Sequence, residues 1–358
     1  MLNVLRDRFG VTELALQWFA SYFSDRTQSV HIGNDRSTIK KLSTGVPQGS
    51  VLGPKAFIAY TEDVSNIIED HGLRHHFYAD DIQTYGGVKA SQIGVLRSQM
   101  EKCVQDVMQW SGSKRLQMNT SKTEVMWFGS HASMKKLSST DTTLQFLGQP
   151  ITPSTVVRDL GVYLDSTLDL HDHVSKLAQS SFYTLRRLRS IRNKISRDDT
   201  VTLVVSLVFS RLDYCNAILA GLPASTLAPL QRVQNAAARL VFELKPHDHI
   251  TSSLRDLHWL PIVWRIKFKL CVLVHRAVYG CAPSYIAELI TPSSNTSLRS
   301  SSRGDLLVPR TRLHLGERAF SVSGPREWNQ LPPDIRLISN AENFKARLKT
   351  FMFNLAFV

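Results

Sequence analysis

Cysteine is scarce. The 358 residues hold four, Cys103, Cys215, Cys271 and Cys281, and no two are spaced C-x-x-C. That excludes a disulfide framework and a zinc knuckle, and makes a reducing intracellular setting, nuclear or cytoplasmic, the expectation. Long apolar runs are missing too. The most apolar stretch, Val201 to Leu222, is broken by Arg211 and Asp213, so no membrane span is expected. Arg6, Asp7 and Arg8 stand where a signal peptide would need its apolar region. No repeat of fixed period is present. Acidic residues fall short of basic ones, 30 against 43, for a net charge of +13. The deficit is uneven: residues 1–130 hold 14 basic and 13 acidic residues, residues 131–358 hold 29 and 17. A basic half beside a near-neutral half points to a polyanion partner, most often nucleic acid, against the plainer reading of a solvated basic surface. What is abundant is core material, with 43% hydrophobic residues in a chain long enough for about two domains.

Periodicity predicts a mixed first half. Thr12 to Phe23 reads as a helix with Leu14, Trp18, Phe19, Tyr22 and Phe23 at helical spacing. Gln28–Ile32 and Ser37–Leu42 alternate around Gly33-Asn34-Asp35, a hairpin signal. Pro54 opens a helix expected to run to about Asp70. Leu73 to Phe77 and Ile82 to Tyr85 read as strands, Ile93 to Met108 as a strongly striped helix, and Glu124 to Phe128 and Asp159 to Leu164 as further strands. From about Leu168 the pattern turns helical. One helix runs into Arg186, Arg187, Arg189, Arg192, Lys194 and Arg197, six basic residues in twelve with no acidic one. Residues 291–304 are serine-rich and read as a linker.

The chemistry centres on Asp80 and Asp81, adjacent carboxylates at a tight turn between apolar strands. Neighbouring carboxylates repel one another, and a divalent cation is the natural compensating charge. Alone, the pair is equally an ordinary water-exposed turn. Upstream, Gly45-x-Pro47-Gln48-Gly49-Ser50 lets backbone approach a ligand closely. Downstream, Asn119-x-x-Lys122-Thr-Glu leads into an expected strand, and Lys122 beside a phosphate site can donate a proton. The histidine pairs His75-His76, His171-x-His173 and His247-x-His249 lack metal-ligand spacing and read as solvated or capping groups. Trp259, Trp264 and Trp328 offer base stacking, although core packing suits the stripe around Trp264 better.

The ordered set Gly45-Val-Pro-Gln-Gly-Ser-Val-Leu-Gly-Pro54, Phe77-Tyr-Ala-Asp-Asp81, Asn119-x-x-Lys-Thr-Glu124 and Leu160-Gly-Val-Tyr-Leu-Asp165 resembles motifs B to E of the reverse transcriptases of non-LTR (LINE-type, Jockey-related) retrotransposons. The resemblance extends downstream through Arg211-Leu-Asp-Tyr-Cys-Asn216, Leu230 to Arg239, Leu254 to Pro261 and Phe344 to Lys349. It implies an α+β fold: a partial right-hand polymerase palm, an antiparallel sheet with helices, over 1–166, a helical thumb over 167–245, and a basic C-terminal region over 246–358. By the same resemblance Asp80 and Asp81 would ligate catalytic Mg2+ or Mn2+. Pro47, Gln48, Gly49 and Tyr78 would contact template, nucleotide or primer end, and Lys122 would assist pyrophosphate departure. Asp159 to Asp165 would be the primer-grip region, and Arg186, Arg187, Arg189 and Arg192 would hold the nucleic-acid backbone without reading sequence. The implied partners are RNA template, DNA primer and deoxynucleotide. One departure matters. The family's motif A, Asp-x-x-x-Ala-Phe-Asp, supplies a second metal-bridging aspartate, and the chain from Met1 resembles family sequence just after it. Asp7, Asp25, Glu62 and Asp63 are poor substitutes by position. The expectation is a chain that is catalytically incomplete by itself; the alternatives are a non-catalytic RNA- or DNA-binding remnant and a pseudogene product with no role.

Overall fold

The structure, a computed structural model, describes residues 1–43, 45–46, 49–137, 140–146, 148–293 and 304–357. Helices alternate with small antiparallel hairpins, an α+β composition. Two compact units form, residues 1–125 with 135–153, and residues 126–134 with 154–358.

The first unit opens with α1 (Leu2–Phe9) and α2 (Glu13–Phe23). The expected hairpin follows, split into two ladders: β1 (Thr27–Gln28) pairs with β4 (Lys40–Lys41), and β2 (His31–Ile32) with β3 (Asp35–Arg36) around Gly33-Asn34. The helix expected from Pro54 to Asp70 is two helices, α3 (Gly53–Thr61) and α4 (Val64–Asp70). They part at Glu62-Asp63, where both carboxylates have partners: Arg8 pairs with Glu62, while Asp63 accepts from Lys114 Nζ at 2.8 Å and Trp110 Nε1 at 3.1 Å. Then β5 (Arg74–Tyr78) and β6 (Asp81–Tyr85) form a hairpin, followed by α5 (Ile93–Ser113). Ile93, Leu96, Cys103 and Val107 are buried at helical spacing, as are Val64, Ile68 and Leu73 from α4 and the start of β5. Gly86 closes the hairpin. A β-carbon there would sit 2.7 Å from Leu96 Cδ1, so glycine lets the hairpin end lie against α5.

The segment Glu124–Phe128, expected as a strand, belongs to none of the ladders among the described residues. Its apolar residues fit a ladder, but no neighbouring strand supplies one. After α6 (His131–Leu137), β7 (Leu144–Phe146) and β8 (Gln149–Ile151) form another hairpin of the first unit. Every sheet among the described residues has two strands.

The second unit begins with the hairpin β9 (Val156–Asp159) and β10 (Val162–Asp165), where a single strand was expected. Leu160 and Gly161 both take left-handed backbone, φ 43° and 86°, the turn that matches strand twist. Tyr214 Oη donates to Leu160 O at 2.7 Å and holds that turn. Asp165 accepts from the amides of Thr167, Asp169 and Leu170 at 3.2, 2.8 and 2.6 Å, joining the hairpin to α7 (His171–Ile191). The helices α8 (Arg197–Val204) and α9 (Ser210–Asp213) are linked by a π turn, Val205–Phe209. Then come α10 (Ala224–Phe242), α11 (Thr251–Asp256) and α12 (Ile262–Val278). One apolar cluster fills their centre, with Val204, Val208, Val233, Ala237 and Val241 fully enclosed. Asp213 forms a bidentate pair with Arg265, fixing α9 to α12.

The remainder is α13 (Ser284–Ala287), α14 (His314–Glu317), α15 (Phe320–Asn329), α16 (Pro333–Arg336) and α17 (Ala341–Ala356). A second cluster gathers Cys271, Val274, Trp328, Phe344 and Leu348. Trp259 and Trp328 are buried core residues and not base platforms. Arg318 reaches back to Leu168 O at 2.6 Å and Ala220 O at 3.3 Å, so this segment is built into the same unit as α7. Most of the serine-rich stretch, 294–303, lies outside the described residues. No helix among the described residues is long and apolar enough to cross a membrane.

Candidate functional site

The β5–β6 register pairs Tyr78 with Asp81, which leaves Ala79 and Asp80 as the two turn residues. Ala79 takes φ 56°, left-handed backbone that costs a non-glycine residue about 1 kcal/mol. The two-residue turn takes this conformation and leaves Asp80 and Asp81 adjacent and exposed at the tip of the hairpin. Asp80, Asp81 and Tyr78 are exposed, and among the described residues neither carboxylate has an ion-pair partner. The base of the hairpin is tied down instead. His75 stacks on Phe77, centroids 4.5 Å apart, and its Nε2 lies 2.9 Å from Glu69 Oε1.

Lys122 ends a short turn, Thr120–Lys122, organised by Asn119, whose Oδ1 accepts from Ser121 N at 3.1 Å and Ser121 Oγ at 2.6 Å. The lysine is exposed, and no ion pair joins it to Asp80 or Asp81 among the described residues. Of the loop residues expected at template and nucleotide, Pro47 and Gln48 lie outside the described residues. Gly49 takes φ 79°, open to solvent on the side a side chain would occupy. Next to it Ser50 is anchored. Its Oγ accepts from Gly53 N at 3.0 Å, capping α3, and from Tyr22 Oη at 2.8 Å.

The four carboxylates weighed as replacements for a second metal-bridging aspartate all have cationic partners. Asp7 pairs with Arg6, Asp25 with Lys41 at 3.1 Å, Glu62 with Arg8 and Asp63 with Lys114. Two-metal phosphoryl transfer needs ions roughly 3.5–4 Å apart, bridged by carboxylates. Among the described residues no group of three or more His, Cys, Asp or Glu is placed to hold a metal ion. The donor set of this hairpin therefore does not fit a two-ion centre.

In the second unit, Arg186, Arg187 and Arg189 are exposed on α7. Arg192 is not available with them. It follows Leu188 by four residues and Leu185 by seven, so it falls on the buried face of the helix line. Its guanidinium donates to Leu240 O and Val241 O at 3.0 Å each and to Ile195 O at 3.2 Å, and pairs with Glu243 at 3.7 Å. It caps the C-terminal end of α10, where carbonyls lack partners and the helix dipole favours a cation. The sequence also gave no sign of a cation cluster on the β9–β10 hairpin. Tyr163 stands opposite Arg158 in register, with Lys176 Nζ 3.7 Å and the Arg158 guanidinium 5.7 Å from its ring centroid.

Residues 6–151 match the family described as reverse transcriptase (RNA-dependent DNA polymerase). Over that stretch the chain is similar to reverse transcriptases. Over 219 residues it is 28% identical to the RNA-directed DNA polymerase from mobile element jockey of Drosophila funebris, covering 59% of this chain and 23% of that protein. The jockey polymerase of Drosophila melanogaster is 25% identical over 202 residues, 54% of this chain and 21% of the relative. The probable RNA-directed DNA polymerase from transposon BS of the same organism is 24% identical over 253 residues, 66% and 26%. The stretches aligned with these relatives span about a quarter of the relatives' own length. The family match contains the β5–β6 hairpin, the Gly49–Ser50 loop and Lys122, and ends before β9.

Proposed function

We propose that this chain is part of a non-LTR retrotransposon reverse transcriptase that binds an RNA template and its DNA primer but does not extend the primer by itself. The reaction of such a polymerase joins a primer 3′ hydroxyl to the α-phosphate of a deoxynucleotide, releasing pyrophosphate. In it, Asp80 and Asp81 would lie at the reacting phosphates with Mg2+ or Mn2+. Tyr78 would pack at the primer end, Pro47, Gln48 and Gly49 at template and nucleotide, and Lys122 at the departing pyrophosphate. Arg186, Arg187 and Arg189 would neutralise backbone phosphates, while Arg192 serves the fold. Metal clamping and electrostatic preorganisation supply much of the barrier lowering in phosphoryl transfer, so a donor set short of one carboxylate element forfeits useful turnover.

The observation that carries the proposal is the β5–β6 tip. It offers two exposed, adjacent carboxylates with no ion pair among the described residues, whereas Asp7, Asp25, Glu62 and Asp63 each pair with a cation. Binding of the full chain to an RNA–DNA hybrid across a salt series tests the binding half. Affinity should fall steeply with salt, and Ala at Arg186, Arg187 and Arg189 together should flatten the log–log slope by roughly two to three. A slope near zero in the parent chain contradicts it.

A further inference from the structure

The helix α2 is rich in apolar and aromatic residues and buries none of them. Leu14, Trp18 and Tyr22 recur every fourth residue, so they line one stripe. Leu14 is 79% exposed and Trp18 53%. The two rings of the stripe are stacked nearly parallel, centroids 5.3 Å apart and planes 10° apart, and Phe19 braces the Trp18 edge at 5.3 Å. Tyr22 is fixed in turn by its bond to Ser50 of the glycine–proline loop. Trp18, half exposed, therefore presents an indole whose orientation is held by Tyr22 and Phe19, and Tyr22 in turn is anchored to that loop.

We propose that Trp18 is a stacking platform for an unpaired nucleobase of single-stranded RNA, continuing the Tyr22–Trp18 stack toward Leu14. This rests on the reading of the chain as a template-binding polymerase part. Three features favour a base over an apolar protein partner. The rings are already parallel, the geometry that base stacking uses and that aliphatic packing does not require. The stripe ends at a polar anchor in the loop assigned to the template. And the chain flanking that loop, residues 26–55, carries Arg26, Arg36, Lys40, Lys41 and Lys55 against one acid, Asp35, a balance suited to a polyanion. Lys41 pairs with Asp25 at 3.1 Å.

The test uses the full chain, a fluorescein-labelled 12-nucleotide oligo(U) RNA and a blunt RNA–DNA hybrid, read by anisotropy, with tryptophan fluorescence followed in parallel. Trp18→Ala should lose about ten-fold in affinity for oligo(U) while hybrid binding changes less than about two-fold; Trp18→Phe should keep most of the affinity. Oligo(U) should quench tryptophan emission in the parent, and that quench should vanish in Trp18→Phe, a readout that decides the matter even if Trp18→Ala fails to fold. An unchanged quench in Trp18→Phe, or unchanged oligo(U) affinity in a folded Trp18→Ala, overturns the platform. So does hybrid binding by the parent without oligo(U) binding, which spares the wider reading; binding of neither sinks both. Loss of self-association by sedimentation in Trp18→Ala, with RNA binding intact, would identify the stripe as a protein interface and likewise overturn the proposal.

Discussion

The two units divide chemistry and stability between them. The first holds most of the stretch that matches the reverse-transcriptase family, residues 6–151, yet its strands are two to five residues long and its helix α2 buries no residue. The second holds both large apolar clusters, and its basic helix α7 sits on the first of them. Motifs of this kind are written in glycine, proline and aspartate, residues kept at the surface where they meet ligand. A core is written in apolar periodicity. The two messages need not coincide in one segment, and here they do not.

Core truncation should separate the units most sharply. Leu230 is almost fully enclosed, and Leu230→Ala should cost about 2–5 kcal/mol in thermal or denaturant unfolding. Tyr78→Ala, at an exposed position of the β5–β6 hairpin, should stay within about 0.5 kcal/mol. Equal effects would erase the contrast. The arginines of α7 give the next largest difference. Arg192→Ala strips hydrogen bonds from three carbonyls and should destabilise the second unit by about 1–3 kcal/mol. Arg187→Ala should leave stability unchanged and weaken hybrid binding. The opposite pattern would return Arg192 to the nucleic-acid surface.

Acid should act on the second unit through His275 and His173. Burial holds both below the ordinary histidine value. His275 is stacked on Phe344, with its Nε2 2.8 Å from Ile338 O. A folded-state value below the unfolded one means that the unfolded chain binds more protons as pH drops through about 6.5, so stability falls on acidification from there. Denaturant midpoints at pH 7 and pH 5 should show this loss, and His275→Phe should reduce it. The smallest effect is chemical. Cys271 and Cys103 are buried, and burial raises both thiols, Cys103 to about 11. Alkylation of the native chain should label Cys215 and Cys281 first; early labelling of Cys271 would show that the second core opens readily.

Much of this was legible in the residues. The β5–β6 hairpin was bounded by its alternating strands, and the α5 stripe by apolar spacing. What sequence missed had specific causes. Arg192 looked like its basic neighbours because residue type hides register; only its spacing from Leu185 and Leu188 marks it as inward. Glu124–Phe128 is an apolar run like that of a buried strand, but no ladder among the described residues includes it. The break between α3 and α4 depends on Asp63 being held by Lys114 and Trp110, some fifty residues away in sequence. Trp18 stood at helical spacing in the sequence, which marks a stripe but does not say whether the stripe is covered; it is 53% exposed.

The central claim is that the Asp80–Asp81 corner does not by itself make a polymerase centre. Primer extension by this chain on an RNA template, with Mg2+ or Mn2+ and all four deoxynucleotides, measures it most directly. The expected result is incorporation no greater than that of Asp80→Ala. Sustained incorporation by the parent chain that disappears in Asp80→Ala would contradict it.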